Sequence, residues 1–277
     1  MGICTCYYGA GLDGSTLAMK PKLLLSRRKL LVSGAATLIL GGCNRLSQAP
    51  SFKQFLANAE GLTYRAQRTL IPRQALAREY SAADISKNFH PNGSQDKYNL
   101  PPEYVEDGES GYTKWRLQVG GLVMRPASFS LGELRALPAR TQITRHDCVE
   151  GWSAIGEWTG VPLSTLLERA ELMPNVRYIL FRCADDLTNS RDGSGLYYET
   201  IDLVDAFHPQ TILAHQMNGE TLSVPHGAPI RVRIERQLGY KMAKYIMRIE
   251  AVEEFSKIGL GRGGFWEDRG YEWYAGI

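Results

Sequence analysis

Cysteine is scarce beyond the first part of this chain. Of five in 277 residues, Cys4, Cys6 and Cys43 fall within residues 1–43, leaving only Cys148 and Cys183. That excludes a disulfide-framed scaffold, and without a C-x-x-C pair it also leaves zinc short of its four ligands and haem without a C-x-x-C-H attachment. Neither sign of charge dominates: 32 basic and 29 acidic residues give +3, with no basic arm, so nucleic acid is not an expected partner. No uncharged apolar run reaches the ~20 residues that span a bilayer; residues 30–42 fall short of it. No internal repeat is present. A serine nucleophile elbow is absent too, because Gly151-Trp152-Ser153 is followed by Ile155 where glycine is required.

What the front does contain is a processing signal. Lys20, Lys22, Arg27, Arg28 and Lys29 precede an apolar run that ends in Gly41-Gly42-Cys43. Ser26-Arg27-Arg28-Lys29-Leu30-Leu31 has the form of a twin-arginine export motif, and Leu40-Gly41-Gly42-Cys43 that of a lipoprotein cleavage site. The expectation is an exported protein, periplasmic or on the outer face of the cytoplasmic membrane, held to the membrane surface by a lipid on Cys43. Met19 begins a signal of ordinary length and is the expected true start.

Residues 44–84 read as a polar tether followed by peripheral helices, one capped by Ser51 and carrying Phe52, Phe55, Leu56 and Ala59, the other over residues 74–79. Residues 89–110, rich in Pro, Gly, Asn and Asp, read as loop. Strands are predicted over 114–119, 141–145, 176–181, 211–216, 230–234 and 245–252 from alternation and β-branched content. Ser130 and Glu133 form a capping box for a short helix, and Pro162 sits in the first turn of another. The sum is a mainly β, α+β single domain over residues 85–277 with long loops. Residues 261–271 are expected to fold back over it.

Chemistry concentrates at Arg145-His146-Asp147-Cys148-Val149-Glu150-Gly151-Trp152. A thiolate is both a soft metal ligand and a nucleophile. His146, two residues away on a strand, shares the face of Cys148, so a cysteine-dependent hydrolase is an open alternative. So is a disulfide to Cys183, although Cys183 lies in an apolar run where a small buried thiol is ordinary. A noncatalytic lipoprotein that keeps the fold as a binding module is the other alternative. Downstream lies a second dense stretch: His226-Gly227-Ala228-Pro229-Ile230-Arg231, then Gly239-Tyr240-Lys241-Met242-Ala243-Lys244. Arg231 can grip a phosphate with two parallel hydrogen bonds. By periodicity alone, however, Arg231 and Arg233 read as solvated strand charges.

Together these stretches, with Trp158-Thr159-Gly160-Val161-Pro162-Leu163 between them, resemble the sulfite-oxidase-like molybdopterin oxidoreductases over residues 85–277. The resemblance implies that fold, a molybdenum–molybdopterin cofactor with Cys148 as metal ligand, and oxygen-atom transfer. It also implies cofactor contacts from His226, Arg231, Gly239, Tyr240, Lys241 and Lys244, with Asn92 and His90 contributing from an earlier loop. Asp185 and Asp186 carry no assigned role, and Trp152, Trp158, Tyr197 and Tyr198 read as core before pocket. Sulfite oxidases have an arginine shortly after the metal cysteine, whereas here Glu150 follows, and the chain is not expected to extend into their dimerisation domain. The pattern is closer to the bacterial exported reductases. The expected substrate is therefore a small-molecule or protein-bound S-oxide or N-oxide, the electron source a membrane haem subunit or other electron-transfer partner, and the protein a monomer.

Overall fold

The computed structural model describes residues 48–190 and 192–277. The export and lipid-attachment motifs lie outside the described residues. The chain divides into two units between Asn58 and Ala59. In the first, the described residues include Phe52 and Phe55, whose rings stack 6.4 Å apart. All that follows concerns the second.

Two five-stranded sheets carry the second unit. One runs β2 (Ala127–Ser130), β1 (Arg116–Gly121), β10 (Ile246–Val252), β5 (Tyr178–Asp186), β6 (Leu196–Asp202). The β1–β10 pair is parallel and the others are antiparallel. The other runs β3 (Arg140–Asp147), β4 (Ser153–Pro162), β7 (Ile212–Met217), β8 (Glu220–Thr221), with β9 (Arg231–Arg233) also on β7. Mainly β with short helices, the architecture agrees with the fold class read from the sequence.

Burial explains the elements. In β5, Ile179, Leu180 and Phe181 are all fully buried, so this strand is a continuous apolar run with both faces covered. Each such side chain contributes ~1.5–3 kcal/mol of burial. Helix α4 (Leu163–Ala170) adds Leu163, Leu166, Leu167 and Ala170 to the same core at helical spacing. The expected capping box is present: Ser130 Oγ accepts from Glu133 N at the start of α3 (Leu131–Arg135). A smaller apolar cluster of Phe89, Ala154, Trp158, Ile212, Ala214, Leu222 and Ala228 lies with the second sheet.

Three expectations are corrected. Residues 74–79 form no helix; the chain turns there, and Glu79 bridges to Thr144 beside β3. Residues 89–110 are not loop throughout, because Pro102 at the first position starts helix α2 (Pro102–Glu109). The first helix, α1, is longer than expected at Pro50–Leu70, and its Arg68 reaches the β6 end, pairing with Asp202 at 3.0 Å and Asp205 at 2.7 Å. The solvated reading of Arg231 and Arg233 also fails: both are fully buried.

Candidate active site

Strand β3 delivers Cys148 to a tight turn just past its end, closed by Cys148 N donating to Trp152 O at 2.9 Å and Gly151 N to Cys148 O at 3.0 Å. Gly151, at φ +90, permits the turn. Cys148 then lines a cleft together with Val149 and Glu150. Facing them are Asn92, Gly93 and Ser94 from the early loop, Asp185 from the end of β5, and the 239–244 segment. The structure thus brings Cys148, Asn92, Gly239, Tyr240 and Lys244 to one place.

Polar groups around the cleft are unmatched in both senses. Lys244, buried, donates only to the carbonyls of Ser94 and Pro225, and burial with the nearby Arg231 lowers its pKa to about 7. Arg231 donates from Nη1 to His226 O at 3.2 Å and from Nη2 to Met242 O at 3.4 Å, has no carboxylate partner, and leaves Nε unbonded. Burial and the neighbouring Arg233 lower its pKa to about 9. On the acceptor side, Asn92 Oδ1 and Asp185 Oδ1 are buried with no partner. Ser94 Oγ donates to Asp185 Oδ2 at 2.7 Å, and burial raises the pKa of Asp185 to about 6. Unpaired buried charges and lone pairs are costly unless something satisfies them. An anionic phosphate and the donor and acceptor edges of a pterin are complementary to this set, so the residues present fit molybdopterin.

His146 is committed elsewhere. An arginine can only donate, so the 2.9 Å contact from Arg233 Nη1 makes His146 Nδ1 the acceptor and places the ring proton on Nε2. Burial and the adjacent cations hold its pKa well below the ordinary value, keeping the ring neutral. The Cys148 thiol is pushed up by burial, which outweighs the backbone N–H groups of Glu150 and Val149 that favour the thiolate. A thiol enzyme needs the reverse, a lowered thiol beside a free base, so the hydrolase alternative fails on this geometry. Cys148 and Cys183 are both free, so the disulfide is not formed.

Four predicted residues lie apart from the cleft lining. Lys241 is a correction: fully buried, its ammonium is held at 2.6 Å by both Glu199 and Glu267, a pairing that raises its pKa despite burial. With two carboxylates on it, that side chain is not available to a cofactor phosphate. His226 lies outside the cleft lining, with Nε2 at 3.2 Å from Phe89 O and Nδ1 at 3.0 Å from Ser223 Oγ. His90 is exposed, against Trp152 at 6.0 Å between ring centroids. Arg231 packs behind Lys244 across Gly227, where an added Cβ would lie 2.9 Å from Lys244 Cγ and 3.2 Å from Arg231 Cβ. Ser94, Trp266 and Tyr271, which sequence reasoning left out, line the cleft, as does Asp185, which was noted without a role. Of the three left out, Ser94 carried a signal, by adjacency to Asn92-Gly93.

Residues 104–258 match the family described as the oxidoreductase molybdopterin binding domain. Among curated proteins, the chain is 43% identical over 162 residues to one of Azospira oryzae named as a protein-methionine-sulfoxide reductase subunit, YedZ1, covering 58% of this chain and 56% of that protein. It is 29% identical over 240 residues to the protein-methionine-sulfoxide reductase catalytic subunit MsrP of Xanthomonas axonopodis pv. citri, covering 82% and 70%. With MsrP of Ralstonia nicotianae it shares 35% over 149 residues, 50% of this chain and 44% of that one. The chain therefore spans little more than half the length of the first of these relatives. The sulfane dehydrogenase SoxCD of Paracoccus pantotrophus superposes with a TM-score of 0.46 at 24% identity, over 51% of this chain and 39% of that one. Because the domain match spans more than half of the chain, the protein belongs to the sulfite-oxidase-like molybdopterin family and is an oxidoreductase that works with a molybdenum–molybdopterin cofactor.

Proposed function

We propose that the protein reduces an S-oxide at a molybdenum centre ligated by Cys148, receiving its electrons from a membrane haem subunit or comparable electron-transfer partner. The observation that carries the choice of substrate is that Glu150 lines the same cleft as Cys148. A carboxylate there repels a dianion such as sulfite but tolerates a neutral oxide, whose charge the site need not balance. The names of the YedZ1 and MsrP relatives, which specify protein-methionine-sulfoxide reduction, support this reading.

When bound, the cofactor supplies two-electron oxygen-atom exchange, and the protein supplies binding, orientation and electrostatics. Lys244, with the Arg231 charge behind it, would hold its anionic end, while Asn92 Oδ1 and Asp185 Oδ1 would be the acceptors open to its pterin N–H groups. Gly239 keeps the backbone close, since an added Cβ there would stand 2.4 Å from His146. Glu150 is fixed by Trp152 Nε1, which donates to it at 3.0 Å. The neutral His146 keeps Arg233 in place without adding charge.

Protein purified after native export is expected to hold about one molybdenum per chain and to reduce S-oxides with a reduced dye as donor. Sulfite oxidation with no S-oxide turnover would sink the proposal. Cys148→Ser should remove metal and activity while far-ultraviolet circular dichroism stays that of the wild type, and Arg231→Ala should lower molybdopterin content. We infer further that the twin-arginine route exports the protein and that Cys43 carries a lipid. Replacing Arg27 and Arg28 by lysine should strand the precursor in the cytosol; unaltered export would count against the route.

A further inference from the structure

Asn92, Ser94, Asp185 and Lys244 make one side of the cleft polar; Tyr240, Trp266 and Tyr271 make another side aromatic. The Trp266 and Tyr271 rings stack 5.3 Å apart with 26° between planes, and Tyr271 meets Tyr240 edge-on at 5.1 Å. Neither is ordinary core: Tyr271 is 38% exposed and Trp266 only partly buried. Both come from residues past 258, where the family's domain match stops.

This aromatic pair is held rigidly. Between its members, Glu267 is buried against Lys241, which Glu199 on β6 also holds. The next residue, Asp268, accepts from Tyr198 Oη and from Leu260 N at 2.8 Å. Tyr271 N donates to Trp266 O at 3.0 Å, closing the turn that brings the two rings together. Gly264 completes the anchor, since a Cβ there would lie 2.0 Å from Glu267 Oε2. A stiff, partly exposed aromatic surface next to the metal ligand is preorganised for a ligand, because little is lost in ordering it.

We propose that Trp266 and Tyr271, with Tyr240, form the wall that selects the substrate, seating the alkyl arm of a sulfoxide while its oxygen faces Cys148. This rests on the S-oxide reading above. The rings favour contact with the methylenes beside the sulfur, and each buried methylene adds to affinity. An oxide without an arm leaves the wall unused.

The test compares dimethyl sulfoxide with n-butyl methyl sulfoxide as substrates of the cofactor-loaded enzyme. Trp266→Ala should raise KM for the butyl compound about tenfold with kcat within about twofold, leave dimethyl sulfoxide within about twofold, and Trp266→Phe should restore most of the loss. Titration calorimetry with n-butyl methyl sulfone, which does not turn over, should show the same roughly tenfold weakening, at unchanged molybdenum content. Tyr271→Ala, at an exposed position, should give the same split and serves if Trp266→Ala fails to fold. Turnover of both sulfoxides with an unchanged ratio in these variants overturns the wall alone. A wild-type enzyme that reduces neither sulfoxide overturns the S-oxide reading and the wall with it.

Discussion

Arg231 and Arg233 sit two residues apart on β9 in opposite electrostatic situations. Arg233 meets Glu235 through two hydrogen bonds, at 3.0 and 2.8 Å, and is neutralised; Arg231 has only carbonyls. An uncompensated buried cation destabilises a fold unless an anion completes it, which supports the proposed phosphate role for Arg231 and leaves Arg233 in the scaffold. Asp185 shows the same logic with the opposite charge. Its folded pKa of about 6 lies above the ordinary 3.8, so as pH rises the unfolded chain releases this proton first. Stability of the cofactor-free protein is therefore lost between about pH 4 and pH 6 and stays at the lower level above that. Asp185→Asn removes the loss: the variant should match the wild type near pH 4 and exceed it by about 2–3 kcal/mol at pH 8 in thermal melts of cofactor-free protein. A variant less stable than the wild type at pH 8 would show that Asp185 is a net stabilising partner of Lys244.

At the scale of elements, β4 is one of the strands that sequence reading left out, with β2, β6 and β8, although its burial alternates from Ser153 to Gly160. Gly156 and Gly160 break the apolar pattern, and both are there because of neighbours in space. A Cβ at Gly160 would stand 2.2 Å from Leu213 O on β7, beside the register shift between Thr159 and Gly160. Gly160→Ala must push β4 and β7 apart and should destabilise by about 1–3 kcal/mol, read as a lowered melting temperature. An unchanged melting temperature would mean that the sheet yields there. Helix α2 was legible in principle, since Pro102 marks a helix start, but the surrounding loop composition outweighed it. Strands β5 and β10 were readable because their apolar content reflects burial directly, without reference to a partner.

Across the whole molecule, Trp266 and Tyr271 line the same cleft as Cys148, more than a hundred residues earlier in the chain. Glu267 reaches in from the terminal segment to Lys241, which also meets Glu199, and this buried trio ties the segment to β6. Removing its cation leaves two buried carboxylates facing each other. Lys241→Met should therefore destabilise by about 3–5 kcal/mol, and should expose Arg262 and Arg269 to trypsin faster than in the wild type. Digestion at the wild-type rate would show that the terminal segment is held by its aromatic contacts instead.

By itself the sequence determined the elements whose signals are local. These are the apolar strands, the Ser130–Glu133 cap, the cysteine at a strand end, and the run from His226 to Lys244 whose residue types suit an anionic cofactor. What it could not determine was which of those polar residues remains open, because that depends on partners distant along the chain. Glu199 and Glu267 claim Lys241, and Glu235 claims Arg233. Asp185, Ser94, Trp266 and Tyr271 join the cleft for the same reason. Charge pairing and close approach are properties of positions in space, and folding alone brings those positions together.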